Sequence, residues 1–69
     1  MIENVQMRDP RMVARIVNLA LRCNCGYREM SVVERDGMYE ARFSFTGDSE
    51  SLRRLKGQLD RAVADDASC

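Results

Sequence analysis

The chain has no histidine and no tryptophan, and only one proline and four glycines among its 69 residues. Without histidine it lacks the side chain most used for general acid–base work, for pH switching near neutrality and for metal ligation. No sign of charge is in excess, because 11 Lys plus Arg balance 11 Asp plus Glu. A chain with no net positive charge has no whole-molecule counterion-release term to drive binding to DNA or RNA, so no nucleic-acid partner is expected. Long apolar runs are missing as well. None approaches the roughly 18 residues of a membrane span, and the polar stretch Met1 to Pro10 is unlike a secretory signal. A cytoplasmic protein without a membrane segment is the expectation.

Cysteine is scarce and odd in number: Cys23, Cys25 and Cys69 cannot all pair within one chain. Reduced thiols follow as the default. Cys23-x-Cys25 has the look of half a metal knuckle, but with no histidine and only Cys69 as a third thiol it does not close a zinc site. No metal and no cofactor are expected. Cys23 reads as a small core residue, and Cys25 and Cys69 as accessible thiols.

What remains is an ordinary folding composition, 45% hydrophobic and 32% charged. A chain of this length buries only about 60% of the surface its unfolded form exposes. A large cleft is therefore not expected, nor is an enzyme, since no nucleophile–base arrangement stands out. A core this small commonly relies on a disulfide, a metal or a second subunit.

The order of elements reads strand, helix, hairpin, helix. Met1 to Arg8 alternates, with Glu3, Val5 and Met7 on one side and Ile2, Asn4 and Gln6 on the other. Asp9-Pro10 starts a helix, with Asp9 as cap and Pro10 at the first helical position, running to about Cys23. Met12, Ile16, Leu19, Ala20 and Cys23 form its core stripe, and Val13, Ala14, Val17 and Leu21 carry the apolar arc further than one core contact needs. Asn24 and Gly26 end it. Tyr27 to Arg35 and Met38 to Phe45 flank Asp36-Gly37, a strong hairpin signal. A two-residue loop pairs Arg35 with Met38, Glu34 with Tyr39, Val32 with Ala41 and Met30 with Phe43. That register gathers Met30, Val32, Tyr39, Ala41, Phe43 and Phe45 on a core face and leaves Tyr27, Glu29, Ser31, Val33, Arg35 and Arg42 on a wet one. Asp48 or Ser49 caps a second helix whose stripe is Leu52, Leu55, Leu59, Ala62 and Val63. Residues 1–64 form a single domain, and 65–69 a frayed tail.

The fold class is α+β. The order β-α-β-β-α, with an antiparallel sheet and two helices on one face, is a ferredoxin-like sandwich whose final strand is missing or very short. The first strand is then left as an unpaired edge, and the surplus on helix one points to a protein interface over Val13, Ala14, Val17 and Leu21, with Val5 at the edge.

The run Arg8-Asp9-Pro10-Arg11-Met12-Val13-Ala14-Arg15-Ile16-Val17-Asn18-Leu19-Ala20-Leu21-Arg22 resembles the first loop and helix of ACT domains, in particular those of the small regulatory subunit of acetohydroxyacid (acetolactate) synthase. Cys25-Gly26-Tyr27 followed by Met30-Ser31-Val32 is similar to the start of that family's second strand. Phe43 to Asp48 resembles the end of its third, and Leu52 to Arg61 its second helix. The resemblance spans about residues 5 to 63, most of it apolar pattern. It implies a non-catalytic regulatory subunit that forms a homodimer, contacts a large catalytic synthase subunit, and takes a branched-chain amino acid as effector at Asp9, Pro10, Arg11, Met12 and Val13. Effector-binding members carry glycine after the proline. Arg11 stands there instead, and its side chain crowds the approach of a ligand to the backbone amides. The alternative is a stand-alone ferredoxin-like interaction module, an inhibitor or adaptor unrelated to amino-acid metabolism.

Overall fold

The computed structural model of the chain describes residues 1–68, without the side chains of Met30, Ala67 and Ser68. The expected order of elements is present: β1 (Ile2–Met7), α1 (Met12–Arg22), β2 (Gly26–Arg35), β3 (Met38–Thr46) and α2 (Ser49–Ser68). The three strands form one antiparallel sheet in the order β1-β3-β2. The fold is a small α+β ferredoxin-like sandwich, and among the described residues no strand follows α2.

Alternation decides which face of the sheet is covered. Val5 and Met7 of β1 stand opposite Ala41 and Tyr39 of β3, and with Phe43 and Phe45 they turn toward the helices. The Phe43 and Phe45 rings stack with centroids 5.6 Å apart. From α1 come Met12, Ile16, Ala20 and Cys23, and from α2 Leu55, Leu59 and Ala62, to complete one cluster. Burying each of the larger side chains contributes about 1.5–3 kcal/mol. Leu19, Leu52 and Val63, also read as core, are only half-buried at its margin.

Local chemistry sets the ends of the elements. Asp36 and Gly37 both take positive φ (54° and 80°), the pair of conformations a two-residue hairpin loop demands. Asn24 (φ 58°) ends α1, with its own N–H on the Leu21 carbonyl and the Cys25 N–H on the Ala20 carbonyl. Gly26 has no such role and opens β2. At α2, Asp48 is the cap: its Oδ1 accepts from the Ser51 N–H at 2.7 Å. That bond holds the Asp48 carboxyl below its ordinary range.

Four further expectations change. First, α1 begins at Met12 rather than Pro10. Met12 and Val13 donate to the carbonyls of Asp9 and Pro10 in tight i+3 turns, so Asp9 and Pro10 belong to the loop. Second, the hairpin register holds from Arg35 back to Ser31 and then slips, so that Glu29, not Met30, stands opposite Phe43. A bulge reverses the faces beyond it, which puts Tyr27 and Glu29 on the helix side, opposite Phe45 and Phe43. Both stay exposed, as does every described side chain of β2, an edge strand that the helices leave uncovered; Val32, read as core, is likewise 40% exposed. The side chain of Met30 lies outside the described residues. Third, Cys25 is buried, with its thiol 3.6 Å from the Cys23 carbonyl; Cys69 lies outside the described residues. Fourth, the stretch read as a frayed tail is helical through Ser68. Asp65 pairs with Arg15 at 3.7 Å and Asp66 accepts from the Arg8 N–H at 2.9 Å, so the last turns are tied to the rest of the molecule.

No helix of the described residues is long and apolar enough to cross a membrane.

Candidate functional site

The loop from β1 to α1 holds the residues expected to meet an effector. Arg11 N–H donates to Asp9 Oδ1 at 2.9 Å, as an Asp two residues back is well placed to accept. The Arg11 guanidinium then folds back on the same carboxylate, Nε at 3.0 and 3.1 Å and Nη2 at 2.8 Å. This clasp is solvated, for the Arg11 side chain is 89% exposed. The guanidinium nonetheless holds the Asp9 carboxyl below its usual value, and the carboxylate pushes Arg11 up. Pro10 is exposed, Met12 turns its side chain into the core, and Val13 is half-buried. The amides of Arg11, Met12 and Val13 are thus already bonded within the loop.

Beside the clasp is a shallow recess of about 250 Å³ lined by Asp9, Arg11, Met12, Arg15, Asp65 and Asp66. The two guanidiniums and three carboxylates that line it are already engaged, Arg11 with Asp9, Arg15 with Asp65 and Asp66 with the Arg8 N–H, so a charged ligand in the recess competes with bonds in place. Asp65 and Asp66 were invisible to sequence reasoning because that stretch looked like a loose tail. No signal in the sequence singles them out, since a solvated arginine such as Arg15 requires no acidic partner.

The second candidate surface is the outer side of α1. Leu21 is 60% exposed, Ala14 is exposed, and Val13 and Val17 are half-buried. Ala14, Val17 and Leu21, spaced by three and four, lie along one line of the helix. The structure therefore brings Val13, Ala14, Val17 and Leu21 together, but it separates Val5 from them. Val5 is 6% exposed and packs under the helices, because the alternation of β1 turns its odd positions inward. What β1 offers at the surface is backbone rather than the Val5 side chain.

Along that strand a groove of about 190 Å³ runs between β1 and α2, with Lys56 joined to Glu3 at 2.8 Å and to Asp60 at 3.3 Å. These carboxylates raise Lys56 above its ordinary range. Among the described residues no three His, Cys, Asp or Glu side chains are grouped so as to hold a metal ion.

No family model, no curated protein and no solved structure matches the chain.

Proposed function

We propose that this chain is a non-catalytic regulatory or assembly subunit of ACT type, which dimerises and modulates a partner enzyme in a cytoplasmic setting. The partner is a thiamine-dependent large subunit of the acetolactate-synthase kind, in branched-chain amino-acid biosynthesis. The observation that carries this reading is the apolar line Ala14, Val17 and Leu21 on the outside of α1, with Leu21 60% exposed. Val17 packs partly against the core, but Ala14 and Leu21 stand clear of it, and an apolar strip left at the surface in this way suits a protein contact. The resemblance of residues 8–22 to the first loop and helix of that family supplies the identity of the partner.

The alternative, a stand-alone ferredoxin-like inhibitor or adaptor, is favoured by the Asp9–Arg11 clasp. With the loop amides occupied, an amino-acid effector gains little from the backbone at Arg11, Met12 and Val13.

The two readings separate in one experiment. The purified catalytic subunit of such a synthase is assayed with and without this chain, alone and with valine, leucine or isoleucine. Co-elution and a changed rate are expected, both lost in Leu21→Asp, because a buried unpaired charge at an interface costs on the order of tenfold or more in affinity. Neither co-elution nor a rate change would end the regulatory reading and leave the adaptor.

A further inference from the structure

The outer edge of β1 has a defined hydrogen-bonding pattern. Met1 and Phe45 exchange both main-chain bonds, the Met1 ammonium donating at 2.9 Å and the Phe45 N–H at 2.7 Å. Bonded and non-bonded pairs alternate along an antiparallel ladder, so Glu3, Val5 and Met7 direct their N–H and C=O to β3. Ile2, Asn4 and Gln6 direct theirs away from the sheet. The next outward N–H, that of Arg8, is taken by Asp66, which closes the open stretch on that side.

The two edges of the sheet are protected differently. The outer strand β2 carries a bulge between Glu29 and Ser31 and charged residues at Arg28, Glu29, Glu34 and Arg35, all of which discourage strand addition. In β1 the register is regular, no proline interrupts it, and Glu3 is the one charged residue of Ile2–Met7. Glu3 faces inward and is neutralised by Lys56. The groove beside β1, walled by Lys56, Leu59 and Val63 of α2, lies along this same edge.

We infer that this edge pairs with β1 of a second copy, antiparallel about a twofold axis at Asn4. This deepens the dimer in the function proposed above, from which it takes the expectation of self-association. The occupant follows from the register. A twofold centred on Asn4 sets Asn4 opposite Asn4, Ile2 opposite Gln6 and Gln6 opposite Ile2, so every outward N–H and C=O of Ile2, Asn4 and Gln6 meets its complement. Shifting the axis to Ile2 or Gln6 strands part of the edge. In the Asn4-centred register no like charges meet, because Glu3 lies opposite Val5 of the second copy. On the outer face the two Asn4 amides stand side by side and can hydrogen-bond to each other. The two sheets join into one, and the α2 helices come together across the axis on the covered face.

The test joins sedimentation to amide exchange on the whole chain. A dimer is expected at about 100 μM, within the micromolar range of modest interfaces. Asn4→Pro should raise its dissociation constant at least tenfold, since proline removes an outward N–H while leaving the monomer's ladder intact. Asn4→Lys, which sets two ammoniums face to face, should do the same if the proline variant fails to fold by circular dichroism. The amides of Ile2, Asn4 and Gln6 should be protected at high concentration and exchange rapidly on dilution, whereas Glu3, Val5 and Met7 stay protected throughout.

A monomer at every concentration overturns the inference, and so does a dimer that both variants leave unchanged. Protection of Ile2, Asn4 and Gln6 only when a synthase subunit is added also overturns it, because the added strand is then the partner's. Self-association and synthase binding are read separately. Loss of dimerisation with Leu21-dependent synthase binding intact defeats only the pairing of β1, and the converse defeats only the regulatory reading.

Discussion

A single side chain such as Cys25 shows how much a position depends on the backbone on either side of it. Its place after Asn24, just past a helix, reads as loop, yet the left-handed turn at Asn24 carries it back under the sheet end. There its sulfur lies against Gly47, so close that a Cβ on that glycine would sit 3.3 Å from Sγ. Burial pushes the Cys25 thiol up, helped by the neighbouring Cys23 and the Asp48 carboxylate. Low thiolate content and lack of access act together to make it inert. In a Cys69→Ser variant, a disulfide-exchange reagent at pH 8 should label Cys23 and Cys25 on the order of 100-fold or more slowly than in denaturant, as expected when reaction needs an opening of several kcal/mol. Rapid labelling in the native state would show that this corner is open. Sequence periodicity could place Cys23 on the core stripe, but nothing in it reports a turn of direction one residue later.

At the scale of elements, the same substitution tested at two glycines separates backbone need from habit. Gly37 sits at φ +80° in the hairpin loop with nothing within 4 Å of an added Cβ. Gly37→Ala should therefore destabilise by roughly 1–2 kcal/mol through conformation alone. Gly57, inside α2, also meets nothing within 4 Å. There Gly→Ala should stabilise by about 0.5–1 kcal/mol, because the helix no longer bears glycine's entropy cost. Urea titration of both variants reads the opposite signs. The hairpin was legible because Asp-Gly between alternating runs has few other uses. The bulge was not. Tyr27, Glu29, Ser31 and Val33 alternate without a break, so the slip at Met30 leaves no mark in polarity, and on an exposed strand neither face is forced inward. The end of α2 was illegible for a different reason, since its support comes from Arg8 and Arg15, far away in the chain.

For the whole molecule, the groups that the fold shifts move away from neutrality, Arg11 upward among them. Asp9 and Asp48 are lowered, while Cys25, Tyr39 and Lys56 are raised, Tyr39 by the Glu34 carboxylate that accepts its hydroxyl. A carboxyl with a depressed folded-state pKa contributes stability that is complete above its unfolded value, here 3.8, and is lost as pH falls through the folded one. A raised thiol, phenol or ammonium contributes stability that is complete below its unfolded value, 9.0 for Cys25 and 10.5 for Lys56, and is lost as pH rises. With no histidine in the chain and no charged side chain buried among the described residues, little lies between these limits. The melting temperature should be flat within about 2–3 °C between pH 5 and 8 and fall below about pH 4, where the carboxylates lose their partners. A slope through pH 6 to 7 would contradict this account. The architecture as a whole was readable from the sequence because each helix and the hairpin carry one clear apolar face. The edge position of β1 could be foreseen because residues 64–69 carry no strand pattern. Which of its amides point outward could not, since that depends on the pairing with β3.

The Asp9–Arg11 clasp also acts as a tethered competitor. Any carboxylate that binds at Arg11 must displace one already held on the same loop, at an effective concentration on the order of millimolar or above for so short a connection. Because both partners are solvated the hold is weak, so a ligand carboxylate loses only on the order of a few-fold in affinity at Arg11, and a change as small as Asp9→Asn would restore it.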